Sequence, residues 1–176
     1  MSGIPLEKFR AAIRDVPDFP TPGVIFKDIT PILADPTLFG GAVDLLADEV
    51  EKLRPDKIVG IDARGFLFGA AVAYRLRRGF IPVRKKGKLP HRSISFAYQL
   101  EYGAAEMEMH VDAVSPGDRV VLVDDLLATG GTSAAAIHLV QQSGGVVEAA
   151  LFFIELTFLQ GRRRLADVPV RALVTF

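Results

Sequence analysis

The chain contains no cysteine and no tryptophan among its 176 residues. Without cysteine it forms no disulfide, holds no thiolate-ligated zinc and uses no cysteine nucleophile. It also carries no net charge, because 21 lysines and arginines balance 21 aspartates and glutamates. A chain without a global basic field is not drawn to nucleic acid or to an anionic membrane surface. We therefore expect neither kind of partner.

Long apolar runs are missing as well. No stretch approaches the about 18 consecutive apolar residues of a membrane helix, and the N-terminal segment carries charges at helical spacing in place of an apolar signal-peptide core. We therefore expect a cytoplasmic location. The hydrophobic share of 49% and the charged share of 24% are typical of a globular domain and exclude intrinsic disorder. The length predicts a single domain over residues 1–176.

Short apolar runs alternate along the chain with segments of helical periodicity. Such an alternation predicts an α/β fold with a parallel central sheet that is covered by helices on both faces. The apolar runs predict strands at 57–61, 80–83, 119–123, 146–156 and 170–176. The helical periodicity predicts helices at 5–15, from Asp35 to Pro55, at 66–78 and at 134–143, with a further helical piece around 158–166.

Two segments depart from this alternation. Residues 17–31 contain four prolines, which forbid a long helix and predict an ordered, largely extended loop. Residues 93–111 alternate apolar and polar side chains around a turn at Gly103. This pattern predicts an antiparallel hairpin with one wet face, separate from the central sheet.

The clearest functional signal is VVLVDDLLATGGT at 120–132. Here a buried strand that we expect to end at Val123 leads into two acids, then into a turn of small residues before a helix. Ligands bind at the carboxyl ends of parallel strands, and N–H groups at a helix N-terminus suit a phosphate. The carboxylates suit sugar hydroxyls or a magnesium-bound ligand. No lysine follows the last glycine, so this is not a Walker A loop.

This segment resembles the signature of the type I phosphoribosyltransferases, which bind phosphoribosyl pyrophosphate (PRPP). Four further segments, in the same order along the chain, resemble the adenine phosphoribosyltransferases of that family: 17–31, 60–69, 84–90 and 100–109. The resemblance implies a type I phosphoribosyltransferase-like α/β fold with an N-terminal base-binding hood (1–34) and a mobile flap hairpin (90–111). It also implies transfer of the phosphoribosyl group from PRPP to adenine, giving AMP and pyrophosphate in purine salvage.

The resemblance implies a role for individual residues. The ribose hydroxyls and the 5-phosphate fall to Asp124, Asp125, Ala128, Thr129, Gly130, Gly131 and Thr132. The pyrophosphate falls to Asp62, Ala63, Arg64, Gly65, Arg84 and Lys88. Family members often carry serine at the position of Ala63, so contacts there are expected from backbone N–H groups. They also often have a non-proline cis peptide in this loop.

Adenine has no carbonyl oxygen, so it needs an acceptor for its amino group and donors for its ring nitrogens. The resemblance implies that the backbone at Ile25 and Lys27 supplies both and that the Phe26 ring packs on the base. Val24 and Leu127 complete the expected adenine site. For catalysis the resemblance implies Glu101 as the group that takes a proton from the base. It also implies that Tyr102 helps to exclude water and that Arg64 binds the leaving pyrophosphate.

The resemblance further implies Mg²⁺, carried mainly by the substrate and reached through water by Asp124 or Asp125. It implies a homodimer in which part of the basic loop at 84–92 reaches the partner's active site. Two alternatives stay open. One is a phosphoribosyltransferase for a 6-oxopurine, although the 24–27 segment favours adenine. The other is a regulator that senses PRPP without catalysis, although such proteins usually add a nucleic-acid-binding segment.

Overall fold

The computed structural model describes residues 3–100, 103–165 and 167–176. Its strands are β1 (Arg14–Pro17), β2 (Ile25–Asp28), β3 (Lys57–Ile61), β4 (Gly79–Lys85), β5 (Ser93–Leu100), β6 (Gly103–His110), β7 (Arg119–Leu127), β8 (Val146–Glu155) and β9 (Val170–Thr175). Its helices are α1 (Leu6–Ala12), α2 (Thr30–Ala34), α3 (Pro36–Glu51), α4 (Gly65–Leu76) and α5 (Gly131–Gln142). Two short 3₁₀ helices, Thr157–Leu159 and Gly161–Leu165, lie between β8 and β9 where we predicted a helical piece.

Seven of the strands form one sheet in the order β5-β6-β4-β3-β7-β8-β9. The five strands from β4 to β9 in this order run parallel, and apolar side chains fill both faces. On one face Val121 and Val123 of β7 join a core with α3 and α4. On the other, Val120 and Leu122 join a core with α5. The predicted α/β fold with a sheet buried on both faces is therefore confirmed.

The hairpin of β5 and β6 is antiparallel over its whole length, as predicted. The prediction that it stands apart from the central sheet is wrong. Its second strand pairs with the end of β4, where Arg84 lies opposite Glu108 and Lys85 opposite Met107. Met107 is also fully buried, because its alternating position faces the core under α5. The hairpin thus extends the sheet by two strands.

The proline-containing segment is also more regular than predicted. Instead of a continuous extended loop, β1 and β2 pair as a small antiparallel sheet, and α2 follows at once. The start of α3 is as predicted, since the Asp35 side chain accepts hydrogen bonds from the N–H groups of Thr37 and Leu38. Such a cap satisfies donors that a helix N-terminus leaves free. Within the described ranges, no helix is long and apolar enough to cross a membrane.

Candidate active site

A cavity of about 370 Å³ opens where β3 and β7 end side by side. Three chain segments line it: the end of β3 with the turn after it, the end of β7, and the loop that begins α5. The lining residues are Ile61, Asp62, Ala63, Arg64, Asp124, Asp125, Leu126, Ala128, Thr129, Gly130, Gly131, Thr132 and Ser133. The structure therefore brings together, at one edge of the sheet, two motifs that lie some sixty residues apart in the sequence.

The two acids form the floor of this cavity. The side chains of Asp124 and Asp125 are almost fully buried, and the backbone N–H of Asp125 donates to Asp124 Oδ1 at 3.0 Å. Burial raises the pKa of Asp124 well above its ordinary value, and the adjacent Asp125 carboxylate raises it further. Burial also raises the pKa of Asp125, against the opposing effect of a nearby arginine. Ligand hydroxyls could satisfy these acceptors.

That arginine is Arg64. Its Nε lies 2.9 Å from Asp125 Oδ2, and its Cζ lies 4.8 Å from the centre of the Phe26 ring in β2. Its Nη1 is buried and has no hydrogen-bond partner within the part of the chain that the structure describes. A buried donor without a partner is costly, and an oxygen of a bound anion would relieve that cost. The Arg64 guanidinium therefore lies between Asp125 and the Phe26 ring of the N-terminal hood.

The loop before α5 is shaped by two glycines that face each other. Gly130 has φ +80°, a left-handed conformation that favours glycine. A Cβ on Gly130 would lie 2.5 Å from the carbonyl oxygen of Gly161, so neither the backbone angle nor the space permits a side chain. The loop therefore turns sharply into α5. Backbone N–H groups in the first turn of such a helix are free to bind an anion.

A family model described as the phosphoribosyl transferase domain matches residues 29–168. An adenine phosphoribosyltransferase of Methylobacterium sp. strain 4-46 is 56% identical, over 97% of this chain and 96% of the relative. The chain belongs to the adenine phosphoribosyltransferase family. The solved structure of the Thermoanaerobacter pseudethanolicus enzyme superposes with a TM-score of 0.96 at 50% identity, covering 98% of this chain and all of that one.

A second solved member of the family was determined with a ligand in place. The Saccharomyces cerevisiae adenine phosphoribosyltransferase, solved in complex with adenine and an imino-altritol bisphosphate, superposes with a TM-score of 0.91 at 40% identity. It covers 96% of this chain and 97% of that one.

The motif at 62–65 lies at the cavity. Asp62, Ala63 and Arg64 line it, and the Asp62–Ala63 peptide is cis, as the resemblance implied. Gly65 does not line the cavity but lies directly beneath the acids. A Cβ on Gly65 would stand 2.2 Å from Asp124 Oδ1. Because Gly65 has no side chain, the Asp124 carboxylate can occupy this space.

The remaining residues assigned to pyrophosphate, Arg84 and Lys88, do not line the cavity. Arg84 Nε lies 2.9 Å from Asp62 Oδ2, and its Nη1 donates to the carbonyl oxygen of Lys88 at 3.0 Å. The basic loop is also partly neutralised by the hairpin, because Lys86 pairs with Glu106 at 2.7 Å. This ion pair raises the pKa of Lys86 and lowers that of Glu106. The Lys88 side chain is exposed.

None of the four hood residues assigned to adenine lines the cavity either. The side chains of Val24 and Ile25 are 43% and 57% exposed, and the Phe26 ring contacts Arg64 on the cavity side. The Lys27 side chain turns away, with its Nζ 2.6 Å from Asp15 Oδ1 and 3.9 Å from the centre of the Phe176 ring. This leaves the backbone of β2 as the part of Lys27 that a base could meet.

Leu127 is not where the adenine assignment requires it. Its side chain is fully buried in the core under α5, whereas the neighbouring Leu126 lines the cavity. The strand is also longer than predicted, since β7 continues past the acids to Leu127. Leu126, and not Leu127 as we expected, therefore forms this part of the cavity wall. We also missed Tyr98, whose hydroxyl lies 3.0 Å from Thr132 Oγ1.

Glu101 and Tyr102 lie outside the described residues, so their roles stay predictions. The strands on either side, β5 and β6, are described up to Leu100 and from Gly103.

The donors in the cavity fit a magnesium ion that brings most of its own ligands. Asp124 and Asp125 offer carboxylate oxygens, and Mg²⁺ prefers oxygen while keeping waters and substrate oxygens around it. No group of three or more metal-binding side chains occurs in the described part of the chain. The residues present therefore offer Mg²⁺ part of its oxygen ligands.

Proposed function

We propose that this chain transfers the 5-phosphoribosyl group of PRPP to adenine, giving AMP and pyrophosphate. In this reaction a ring nitrogen of adenine forms a bond to the anomeric carbon while the bond from that carbon to pyrophosphate breaks. The nitrogen loses a proton, and the pyrophosphate leaves with the bonding electron pair. The observation that carries the proposal is the single cavity in which the acidic pair, Arg64 and the loop of α5 meet.

The cavity offers one group for each part of PRPP. Asp124 and Asp125 would accept hydrogen bonds from the two ribose hydroxyls, which also relieves the desolvation that raises their pKa. The loop from Ala128 to Thr132 would hold the 5-phosphate on backbone N–H groups and hydroxyls. Arg64, whose Nη1 has no hydrogen-bond partner among the described residues, would stabilise the charge that develops on the departing pyrophosphate. Asp62, Ala63 and Gly65 complete the loop that carries Arg64. Arg84 would add charge beside Asp62, and Lys88 would add charge at the pyrophosphate site of a partner subunit.

The hood would recognise adenine by its backbone. Ile25 and Lys27 are two residues apart in β2, so their backbone groups point to the same side of the strand. Because β2 pairs only with β1 among the described residues, alternate N–H and C=O groups are free to donate to and accept from a base edge. Phe26 and Leu126 would pack on the two sides of the purine. The yeast relative was solved with adenine bound, which supports adenine as the base.

Glu101 would take the proton that the attacking nitrogen loses, and Tyr102 would help to exclude water. We expect the Glu101→Gln variant to bind PRPP normally while turnover falls by about 100-fold, the scale for loss of a general base. Unchanged turnover would remove Glu101 from the mechanism. Bound Mg²⁺ would supply charge neutralisation at the pyrophosphate oxygens. The chain's own part is to hold the ribose hydroxyls on Asp124 and Asp125.

We also propose a single domain in a homodimer, with the hood at 1–34, the flap at 90–111 and a cytoplasmic location. The dimer is supported by the basic loop, because no residue of 85–92 lines the cavity of its own chain and Lys88 is exposed. If that loop serves a partner, a mixed dimer of a Lys88→Ala subunit and an Asp124→Asn subunit has one active site in which both Lys88 and Asp124 remain. Mixing the two variants should therefore restore some activity. Sedimentation of the unmixed protein as a monomer would contradict the proposal.

The function is tested by mixing the chain with PRPP, Mg²⁺ and each purine base in turn. We expect adenine to be consumed and AMP and pyrophosphate to form in equal amounts. Consumption of hypoxanthine, guanine or xanthine instead would show a 6-oxopurine enzyme. Binding of PRPP with no base consumed would show a regulator. The Asp124→Asn variant is the matched control for the assay, since it should lose PRPP binding at an unchanged fold.

A further inference from the structure

A pair of hydroxyl groups joins the hairpin to the start of α5. Tyr98 Oη in β5 lies 3.0 Å from Oγ1 of Thr132, in the first turn of α5. The Tyr98 ring lies against the same turn, since a Cβ on Gly131 would be 3.3 Å from its Cδ2. Two residues earlier in β5, the Phe96 ring packs on His138 with ring centres 3.9 Å apart. The strand β5 therefore lies along the first turns of α5.

We propose that Tyr98 is a positioning residue for the substrate's 5-phosphate, acting through Thr132. The inference rests on the proposed function, which places the phosphate at this loop. Tyr98 does not line the cavity, whereas Thr132 does. The phenol therefore contacts the Thr132 hydroxyl without being one of the groups that line the cavity.

The argument follows from what each hydroxyl can donate. A threonine hydroxyl has one hydrogen and two acceptor lone pairs, and so does a phenol. Without a ligand either of the two can donate to the other. A phosphate oxygen accepts only, so beside an anion Thr132 must turn its hydrogen to the ligand. Within this pair Tyr98 must then be the donor, because the single hydrogen of Thr132 is already given to the ligand.

The resulting chain of bonds runs in one direction, from Tyr98 to Thr132 to the phosphate. Hydrogen bonds in such a chain polarise and strengthen one another. Without the phenol, the Thr132 hydroxyl loses the neighbour that fixes its orientation and can rotate its hydrogen away from the ligand. The 5-phosphate of the substrate would then have to reorient the Thr132 hydroxyl when it binds. Tyr98 thus prepares Thr132 as a donor.

The same contact links phosphate binding to the hairpin. Because coupling between two sites is reciprocal, a phosphate that strengthens the bond between Tyr98 and Thr132 also holds β5 on α5. Occupancy of the phosphate site should therefore stabilise the contact between β5 and α5 in the described part of the hairpin.

The Tyr98→Phe variant tests this, since it keeps the ring and removes only the phenol oxygen. Ribose 5-phosphate and pyrophosphate are titrated separately by calorimetry into the intact protein. We expect the affinity for ribose 5-phosphate, and the KM for PRPP, to weaken by about 2- to 10-fold, the scale of one hydrogen bond. Pyrophosphate affinity and the KM for adenine should not change. Tyr74→Phe is the matched control, because the Tyr74 side chain is 72% exposed.

A merely structural role is separated by repeating the substitution in a Thr132→Val background, in which the donor to the phosphate is already absent. We expect Tyr98→Phe to weaken ribose 5-phosphate binding no further there. An equal loss in both backgrounds, an equal loss of pyrophosphate affinity, or no binding of ribose 5-phosphate by the unmodified protein would overturn the inference. Failure of the proposed function would differ, because ribose 5-phosphate would bind normally while no adenine is consumed.

Discussion

Replacing Gly65 by alanine should separate the stability of this fold from its activity. Gly65 is the first residue of α4 and does not have a positive φ, so alanine there causes no backbone strain. The added Cβ would stand 2.2 Å from Asp124 Oδ1 but 3.4 Å from Asp124 Cα. The backbone can therefore stay while the carboxylate has to retreat by about 1 Å, and a misplacement of that size costs about 100-fold in rate.

The measurement is kcat/KM for PRPP at saturating adenine, together with the midpoint of thermal unfolding. We expect Gly65→Ala to lower kcat/KM by about 100-fold and to leave the midpoint close to that of the unmodified protein. Gly40→Ala in α3 is the control, since a Cβ there meets nothing within 4 Å and should add stability without changing kinetics. Equal kinetics for the two variants would refute the idea that Gly65 makes room for Asp124.

Three further predictions concern stability. Asp124→Asn should raise the free energy of unfolding at neutral pH. Burial raises the pKa of Asp124 in the native state above its value in the unfolded state. Ionised Asp124 therefore lowers stability as the pH rises through the native pKa, and asparagine has no such cost. In denaturant titrations this gain should shrink as the pH falls towards the unfolded pKa. Arg162→Met should cost about 1–3 kcal/mol in the same assay, because it removes both hydrogen bonds from the half-exposed Arg162 guanidinium to the buried Glu155 carboxylate. The control Arg163→Met should cost nothing measurable. Asp35→Ala should lower stability by about 1 kcal/mol through loss of the α3 cap, and an unchanged denaturation midpoint would contradict that assignment.

The sequence was sufficient where one local rule decides the structure. The strand at 57–61 has the predicted bounds, and Asp35 caps α3, because apolar run length and capping chemistry act within a few residues. The acidic pair and the loop of α5 could be placed together because a strand that leads into a glycine-rich helix start brings them to one edge of the sheet.

The sequence was insufficient where contacts cross the fold. Along β7 the side chains alternate between the two cores from Val120 to Val123, and extending this alternation would assign Leu126 and Leu127 to the wrong faces. The alternation breaks at the buried acids, which no local pattern shows. The pairing of Arg84 with Asp62 likewise depends on β3 and β4 lying side by side. The contact of Tyr98 with Thr132 depends on β5 folding over α5.

The aromatic ring of Phe176 has a consequence for protein engineering. Two cationic side chains of the hood region, Arg10 and Lys27, lie on this ring. The backbone of Phe176 forms hydrogen bonds with Glu155, the last residue of β8, and with Thr157. The strand proposed to read adenine therefore packs on the residue that follows β9. Substitutions that remove the Phe176 ring would alter base preference before they altered handling of the sugar phosphate.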